Sequence, residues 1–147
     1  MRKLLYLTMG FYALSMSIQC SAPPPDLSLL EGYWQIERVT QRGETFYPKA
    51  GVVQWDFYQL NEGQGVRKKV TPTAANTFET SDDQTPFRVR LEGKRYSLQF
   101  TTPWDQWEEQ LVKLDTQNLV LEHHQKQYHY TRRTTDGQRW SRNAQNP

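Results

Sequence analysis

Leu29-Leu30-Glu31-Gly32-Tyr33-Trp34-Gln35-Ile36-Glu37-Arg38-Val39 is the stretch on which the fold turns. Within it Trp34 and Ile36 alternate with Gln35 and Glu37, and a period of two puts one face of a strand in a core and the other in water. An apolar run and a proline run precede it, and the chain beyond it reads as short strands. The 147 residues suffice for one domain and one core.

Outward from that strand the same period recurs. Val52 to Leu60 sets Val53, Trp55 and Phe57 against Gln54, Asp56 and Tyr58, which predicts a second half-buried strand with the first set inward. Gln41-Arg42-Gly43-Glu44 supplies a turn, Tyr47 to Gly51 a loop, and Asn61 to Gly65 a hairpin into Val66–Thr71. That third strand carries Arg67, Lys68 and Lys69 in a row. An anion site and a solvated edge strand are its two readings, and the edge strand is preferred because lysines discourage sheet-to-sheet pairing. Thr77 to Thr80 reads as a short strand with a turn after it at Ser81 to Gln84. Phe87, Val89 and Leu91 then alternate with Arg88, Arg90 and Glu92, and Tyr96, Leu98 and Phe100 answer them across Gly93 as a hairpin. After a loop containing Pro103, Trp107 to Leu114 forms a strand with Val112 and Leu114 inward. Leu119 and Leu121, then Tyr128 and Tyr130, are the last inward pairs. Eight or nine short strands joined in order predict an all-β fold, a single up-and-down antiparallel barrel.

The ends have other uses. Arg2 and Lys3 precede an uncharged apolar segment, so residues 1–19 read as a secretion signal too short for a spanning helix. Those two are the only charged residues there, and without them 16 basic residues face 16 acids. A neutral mature chain offers no field for nucleic acid or an anionic membrane surface. The single cysteine, Cys20, excludes an intramolecular disulfide and a Cys-rich zinc site. Ser17-Ile18-Gln19-Cys20-Ser21 resembles a bacterial lipoprotein signal, which implies lipidation of Cys20; an ordinary signal cleaved nearby is the other reading. Residues 20–28, with Pro23, Pro24 and Pro25, form an extended tether, Asp26 capping a short helical turn at its end. The barrel occupies residues 29–133, and residues 134–147 are a polar tail.

Three places in this order resemble the lipocalin-like domains of Gram-negative bacterial lipoproteins, in the calycin superfamily: Leu30-Glu31-Gly32-Tyr33-Trp34, Val53-Gln54-Trp55-Asp56-Phe57 with the glycines after it, and Gln110 to Leu121. The resemblance implies a barrel whose interior takes a small apolar ligand. It also implies that Trp34 closes the floor beneath a basic side chain after the last strand. Arg132 shares the parity of Tyr128 and Tyr130, so Arg132 is the side chain expected on Trp34, with Gly32 admitting close packing. The lack of a disulfide and the short hairpin loops make a filled interior the alternative to an open cup.

Chemistry is sparse. His123, His124 and His129 fall near one hairpin, but parity splits them, so no metal site is expected. Trp104, Asp105, Trp107, Glu108 and Glu109 form an acidic aromatic loop, read as pinned by tryptophan packing with its acids in water. No phosphate cradle, nucleophile elbow or catalytic triad pattern is present, and neither catalysis nor a cofactor is expected. The ligand-facing set is therefore Trp55, Phe57, Phe87, Tyr96, Phe100, Tyr128 and Tyr130. The expectation is a non-enzymatic lipoprotein of the cell envelope, anchored to the outer membrane facing the periplasm, with no other membrane contact, that binds a small hydrophobic ligand or acts as a scaffold. The alternative is an envelope protein-binding module, an inhibitor or assembly accessory, that uses the loop from Trp104 to Glu109.

Overall fold

The alternation that begins at Tyr33 becomes β1 (Gly32–Gln41), the seam strand of a closed barrel. The computed structural model describes residues 23–49, 54–73 and 77–134, without the side chains of Ser81 and Asp82. The signal segment, Cys20, Val52, Val53 and the tail beyond Thr134 lie outside the described residues. After β1 come β2 (Glu44–Phe46), β3 (Trp55–Asn61), β4 (Gln64–Pro72), β5 (Phe78–Glu92), β6 (Arg95–Thr101), β7 (Gln106–Leu114), β8 (Asn118–His123) and β9 (Lys126–Arg133). They pair antiparallel in the order β2-β1-β3-β4-β5-β6-β7-β8-β9, and β1 returns to β9. The fold is thus the all-β, up-and-down antiparallel barrel that the alternation predicts, eight strands forming the ring and β2 standing beside it. Closure gives β4 to β9 a neighbour on either side and so removes the long edges along which open sheets aggregate.

One edge of β1 is shared. Gly32 to Gln35 pair with β3, and Val39 to Gln41 pair with β2. The opposite edge pairs with β9 from Tyr33 to Gln41, with one bulge between Ile36 and Arg38.

The floor is built by a single 3-10 turn, Leu27–Leu30, capped by the Asp26 side chain, which accepts from the Ser28 amide. Leu30 is fully buried, and its carbonyl accepts a 2.8 Å hydrogen bond from the equally buried Trp34 Nε1. The Arg132 guanidinium lies 4.2 Å from the Trp34 ring centre. It also donates to the carbonyls of Leu29, Glu31 and Thr116. Gly32 has φ +119°, and a Cβ there would sit 2.8 Å from Arg132 Nη1, so the spacing Gly32-Tyr33-Trp34 lets a guanidinium reach an indole. Above this floor pack Tyr58, Leu98, Phe100, Leu119 and Leu121, all at most 1% exposed.

Several local expectations change. Trp34 faces inward and lies opposite Asp56, so β3 turns Asp56 and Tyr58 into the barrel and sends Trp55 and Phe57 outside. Those two rings join Tyr33 and Phe78 in an exterior cluster, with Tyr33 stacked on Phe78 at 4.6 Å and 4.8 Å from Phe57. Partial burial there pushes the Tyr33 phenol up to about 12. β4 lies between β3 and β5 in the ring and is no edge. The expected turn at Ser81 to Gln84 is instead a register shift within the long β5, opposite Lys68 to Val70. A bulge between Leu111 and Lys113 turns Leu111 inward and leaves Val112 47% exposed.

The Asp115–Asn118 turn braces the floor. Asp115 Oδ1 accepts from the amides of Gln117 at 2.8 Å and Asn118 at 2.7 Å. The carbonyl of Gln117 in turn accepts from the amide of Arg132. The Gln117 amide, with help from Asn118 and Lys113, holds the Asp115 carboxyl well below the usual carboxylate range. A depressed folded pKa gives stability that is complete above the unfolded value near ~4 and is lost as pH falls below it. Asp115→Ala is therefore expected to destabilise the protein at pH 6, by urea unfolding, and the difference from wild type should shrink steadily toward pH 2. A pH-independent difference would mean that the carboxylate charge is not what holds the turn.

Candidate functional site

The interior of the barrel is not an oil drop. Arg67 on β4 stands directly opposite Tyr58 on β3 and points inward with it. Its Nη1 donates to both oxygens of Glu109 on β7, at 3.0 and 3.2 Å. The guanidinium carbon lies 4.2 Å from the ring centre of Phe100 and 5.9 Å from that of Trp107. Phe100 and Trp107 are themselves stacked, 5.0 Å apart and 11° from parallel, and Trp107 Nε1 donates to Glu109 Oε1 at 2.9 Å. The alternation of β4, β6 and β7 delivers a cation, two ring faces and a carboxylate to one place.

Around this pair sit more polar groups. Asp56, 3% exposed, forms an ion pair with Lys69, its direct cross-strand neighbour, whose side chain is half exposed. Tyr58 is fully buried beside Arg67, and among the described residues its hydroxyl has no hydrogen-bond acceptor. Burial pushes the Tyr58 and Tyr130 phenols well above their ordinary value, so both keep their protons. Burial alone would lower the Arg67 pKa, but Tyr58 and Glu109 beside it outweigh that and raise it. The Arg67 and Glu109 side chains retain 14% and 11% exposure, so the pair is not fully sealed from solvent. Phe87 closes one side, its ring 5.9 Å from Tyr58 and 5.4 Å from Phe100. Gly65 makes room for that ring, since a Cβ there would fall 2.5 Å from Phe87.

Of the residues that the sequence assigns to a ligand, Phe87, Phe100 and Tyr130 line this interior, and Tyr128 packs partly buried against the same core. Trp55 and Phe57 are outside the barrel, because the register of β3 against β1 turns Asp56 and Tyr58 inward in their place. Tyr96 also packs against the core but lies beside the Gly93 turn, whereas Tyr128 lies beside the His124–Gln125 turn. Tyr96 lines a groove of about 530 Å³ with Arg95, Trp107, Gln110, Glu122 and His123. Asp56, Tyr58, Arg67 and Glu109 are interior residues that sequence reasoning missed. For Glu109 a signal was present, because it shares parity with Trp107 and Leu111.

The acidic aromatic loop resolves into two parts. Trp107 and Glu109 belong to β7 and the interior, and only Thr102 to Asp105 is loop. That loop is pinned by Thr102, whose Oγ1 accepts from the amides of Trp104 and Asp105, and not by tryptophan packing. Trp104 stands 92% exposed on it. The histidines split: His123 and His124 lie ring to ring, 3.9 Å apart, with His123 bonded to the Glu108 carbonyl oxygen, whereas His129 bonds Thr40 and Arg38. Burial and then the Arg38 charge lower the His129 pKa. Among the described residues no three metal-ligating side chains cluster.

Eight antiparallel strands in sequential order, a 3-10 turn plugging one end and an Arg132–Trp34 clamp over it decide the architecture. The barrel is lipocalin-like. Three solved structures are similar to it. A lipocalin-like protein from Bacteroides uniformis shares 14% identity over 71% of this chain and 99% of its own, with a TM-score of 0.45. An uncharacterized protein from Bacteroides eggerthii shares 10% identity over the same proportions, at 0.44. Insecticyanin from the tobacco hornworm Manduca sexta shares 10% identity over 73% of this chain and 63% of its own, at 0.42. No protein-family model matches the chain, and no curated protein does.

The lipocalin-like floor and the polar interior predict different mutational behaviour. Arg132→Met removes a cation–π contact and three charged hydrogen bonds and should cost about 2–4 kcal/mol in urea unfolding. Arg67→Met strands a buried carboxylate at Glu109 and should cost about 3–5 kcal/mol, whereas Arg67→Met with Glu109→Met should recover most of that loss. A double variant no better than the single one would show that the pair is not coupled.

Proposed function

We propose that the protein is a non-enzymatic lipoprotein of the cell envelope whose lipocalin-like barrel binds a small, mostly apolar molecule. The observation that carries this reading is the Arg67–Glu109 pair inside the barrel, with its stacked rings and the unpartnered Tyr58 hydroxyl. Removing two charges from water costs several kcal/mol per ion, and a core built only for stability is better filled by apolar side chains. Polar groups held in place at such a cost suit recognition. The aromatic faces of Phe87, Phe100 and Trp107 supply the apolar contact that a small-molecule site needs. A scaffold role is the plainer form of the same reading, in which these groups serve fold specificity alone.

The envelope assignment is supported by Arg2 and Lys3, the apolar run, Cys20 and the prolines after it, which together describe export, lipidation and a spacer. The acyl chains would be the protein's membrane contact, and the outer membrane facing the periplasm is the proposed location. A protein-binding role for the Thr102–Asp105 loop is the second reading, favoured by the exposure of Trp104.

Native mass spectrometry of the protein purified from its own cells should show an added small-molecule mass that organic solvent removes. Repeated recovery of folded protein without such a mass would leave the scaffold reading. Labelled palmitate should enter the wild-type chain and fail to enter Cys20→Ser; equal labelling would place the acyl group elsewhere, and no labelling would remove the anchor.

A further inference from the structure

We propose that the groove on the outer face of β6, β7 and β8 is a binding site for a short aliphatic diamine, one ammonium group seated over Ser97, Gln110 and Glu122 and the other beside Glu108. The site lies outside the barrel and stands whether or not the interior takes a ligand.

A row of polar side chains crosses these strands. Ser97 on β6 is the direct neighbour of Gln110 on β7, Gln110 of Glu122 on β8, and Glu122 of Gln127 on β9. Leu98, Leu111 and Leu121, next to them in the chain, are buried in the core, so alternation turns the row to the outer face. Ser97, Gln110 and Glu122 line the groove, whose volume of about 530 Å³ is that of a small-molecule site. Ser97 is only 6% exposed, yet its hydroxyl meets no hydrogen-bond partner among the described residues, and the space it borders is the groove. A hydroxyl held out of water without a partner is costly, and a ligand that brings one removes that cost. Across the row Gln127 Nε2 donates to Glu122 Oε2 at 2.9 Å and holds that carboxylate in place, which leaves Oε1 for the groove.

Charge selects the ligand. The lining sets Glu92, Glu108 and Glu122 against one permanent cation, Arg95, which stands directly across from Glu92. Glu108 and Glu122 form no ion pair among the described residues. An anion is repelled there, and a cation supplies what both carboxylates lack. A bare metal ion is poorly held, because no three metal-ligating side chains converge among the described residues. An ammonium group asks for acceptors for its three N–H bonds, and a serine oxygen, an amide oxygen and a carboxylate provide them. Glu108 lies on the same face of β7 two residues before Gln110, about 6.8 Å along the strand, which is roughly the reach between the nitrogens of an extended four-carbon diamine. A second ammonium at that distance meets the second carboxylate.

Calorimetric titration of the purified full chain with 1,4-diaminobutane, 1-aminobutane and 1,4-butanediol compares two charges, one and none on the same carbon skeleton. The diamine should bind about tenfold more tightly than the monoamine, and the diol should give no measurable heat. Ser97→Ala removes a hydroxyl that has no partner in the protein and Glu122→Gln keeps the shape of its side chain, so both variants should unfold at the urea concentration of the wild type. Each should weaken diamine binding about fivefold or more. Glu108→Gln should bring the diamine down to the affinity of the monoamine, whereas Glu44→Gln on β2 should change nothing. Binding of the diol as tight as that of the diamine, diamine affinity that survives Ser97→Ala and Glu122→Gln, or an equal loss in Glu44→Gln would overturn the assignment, as would failure of all three compounds to bind.

Discussion

Closure of this barrel depends on a guanidinium held flat against an indole, because the Arg132–Trp34 contact ties the last ring strand to the first at the point where their ends would otherwise fray. The contact organises several features that look unrelated in the chain. Gly32 is a glycine so that Arg132 can pass. The 3-10 turn ends where its carbonyls can receive Arg132 and Trp34. The tight turn at Asp115 is bonded through Asp115 Oδ1 so that the carbonyls of Thr116 and Gln117 point at the same residue. Without the cation, the carbonyls of Leu29, Glu31 and Thr116 lose a shared donor, and the ring loses its lock.

The interior obeys a different logic from the floor. At the floor one cation satisfies acceptors that the backbone leaves over. Around Arg67 one cation is instead shared between a ring face and a carboxylate that carries three bonds. Two arginines of the same barrel are thus used differently, one to gather backbone carbonyls at the floor and the other to neutralise a largely buried carboxylate.

The floor was legible in the chain because it needs only local spacing and parity: Gly32 and Trp34 two residues apart, and Arg132 in step with Tyr128 and Tyr130. The interior was not. Trp55, Phe57 and Tyr58 put aromatic groups on both faces of β3, and the one acid among them, Asp56, reads as outward because burial of a carboxylate requires a partner on another strand. Arg67 was hidden for the same reason, inside a basic triplet whose plain reading is a solvated edge. Its partner, Glu109, lies 42 positions away in the chain. Alternation could have placed Glu109 inward with Trp107 and Leu111, but a pair of adjacent glutamates next to a loop argues for water. The exterior cluster of Tyr33, Trp55, Phe57 and Phe78 shows why an aromatic count cannot by itself locate a core.

β1 changes partner midway, leaving β3 after Gln35 and taking β2 from Val39 to Gln41. Among the described residues the ladder between β1 and β3 therefore ends at Gln35, and the second half of β1 lies between β2 and β9. A single strand thus carries two kinds of pairing: at its clamped end it joins the ring along both edges, and at its other end it ties the short β2 to the ring through β9.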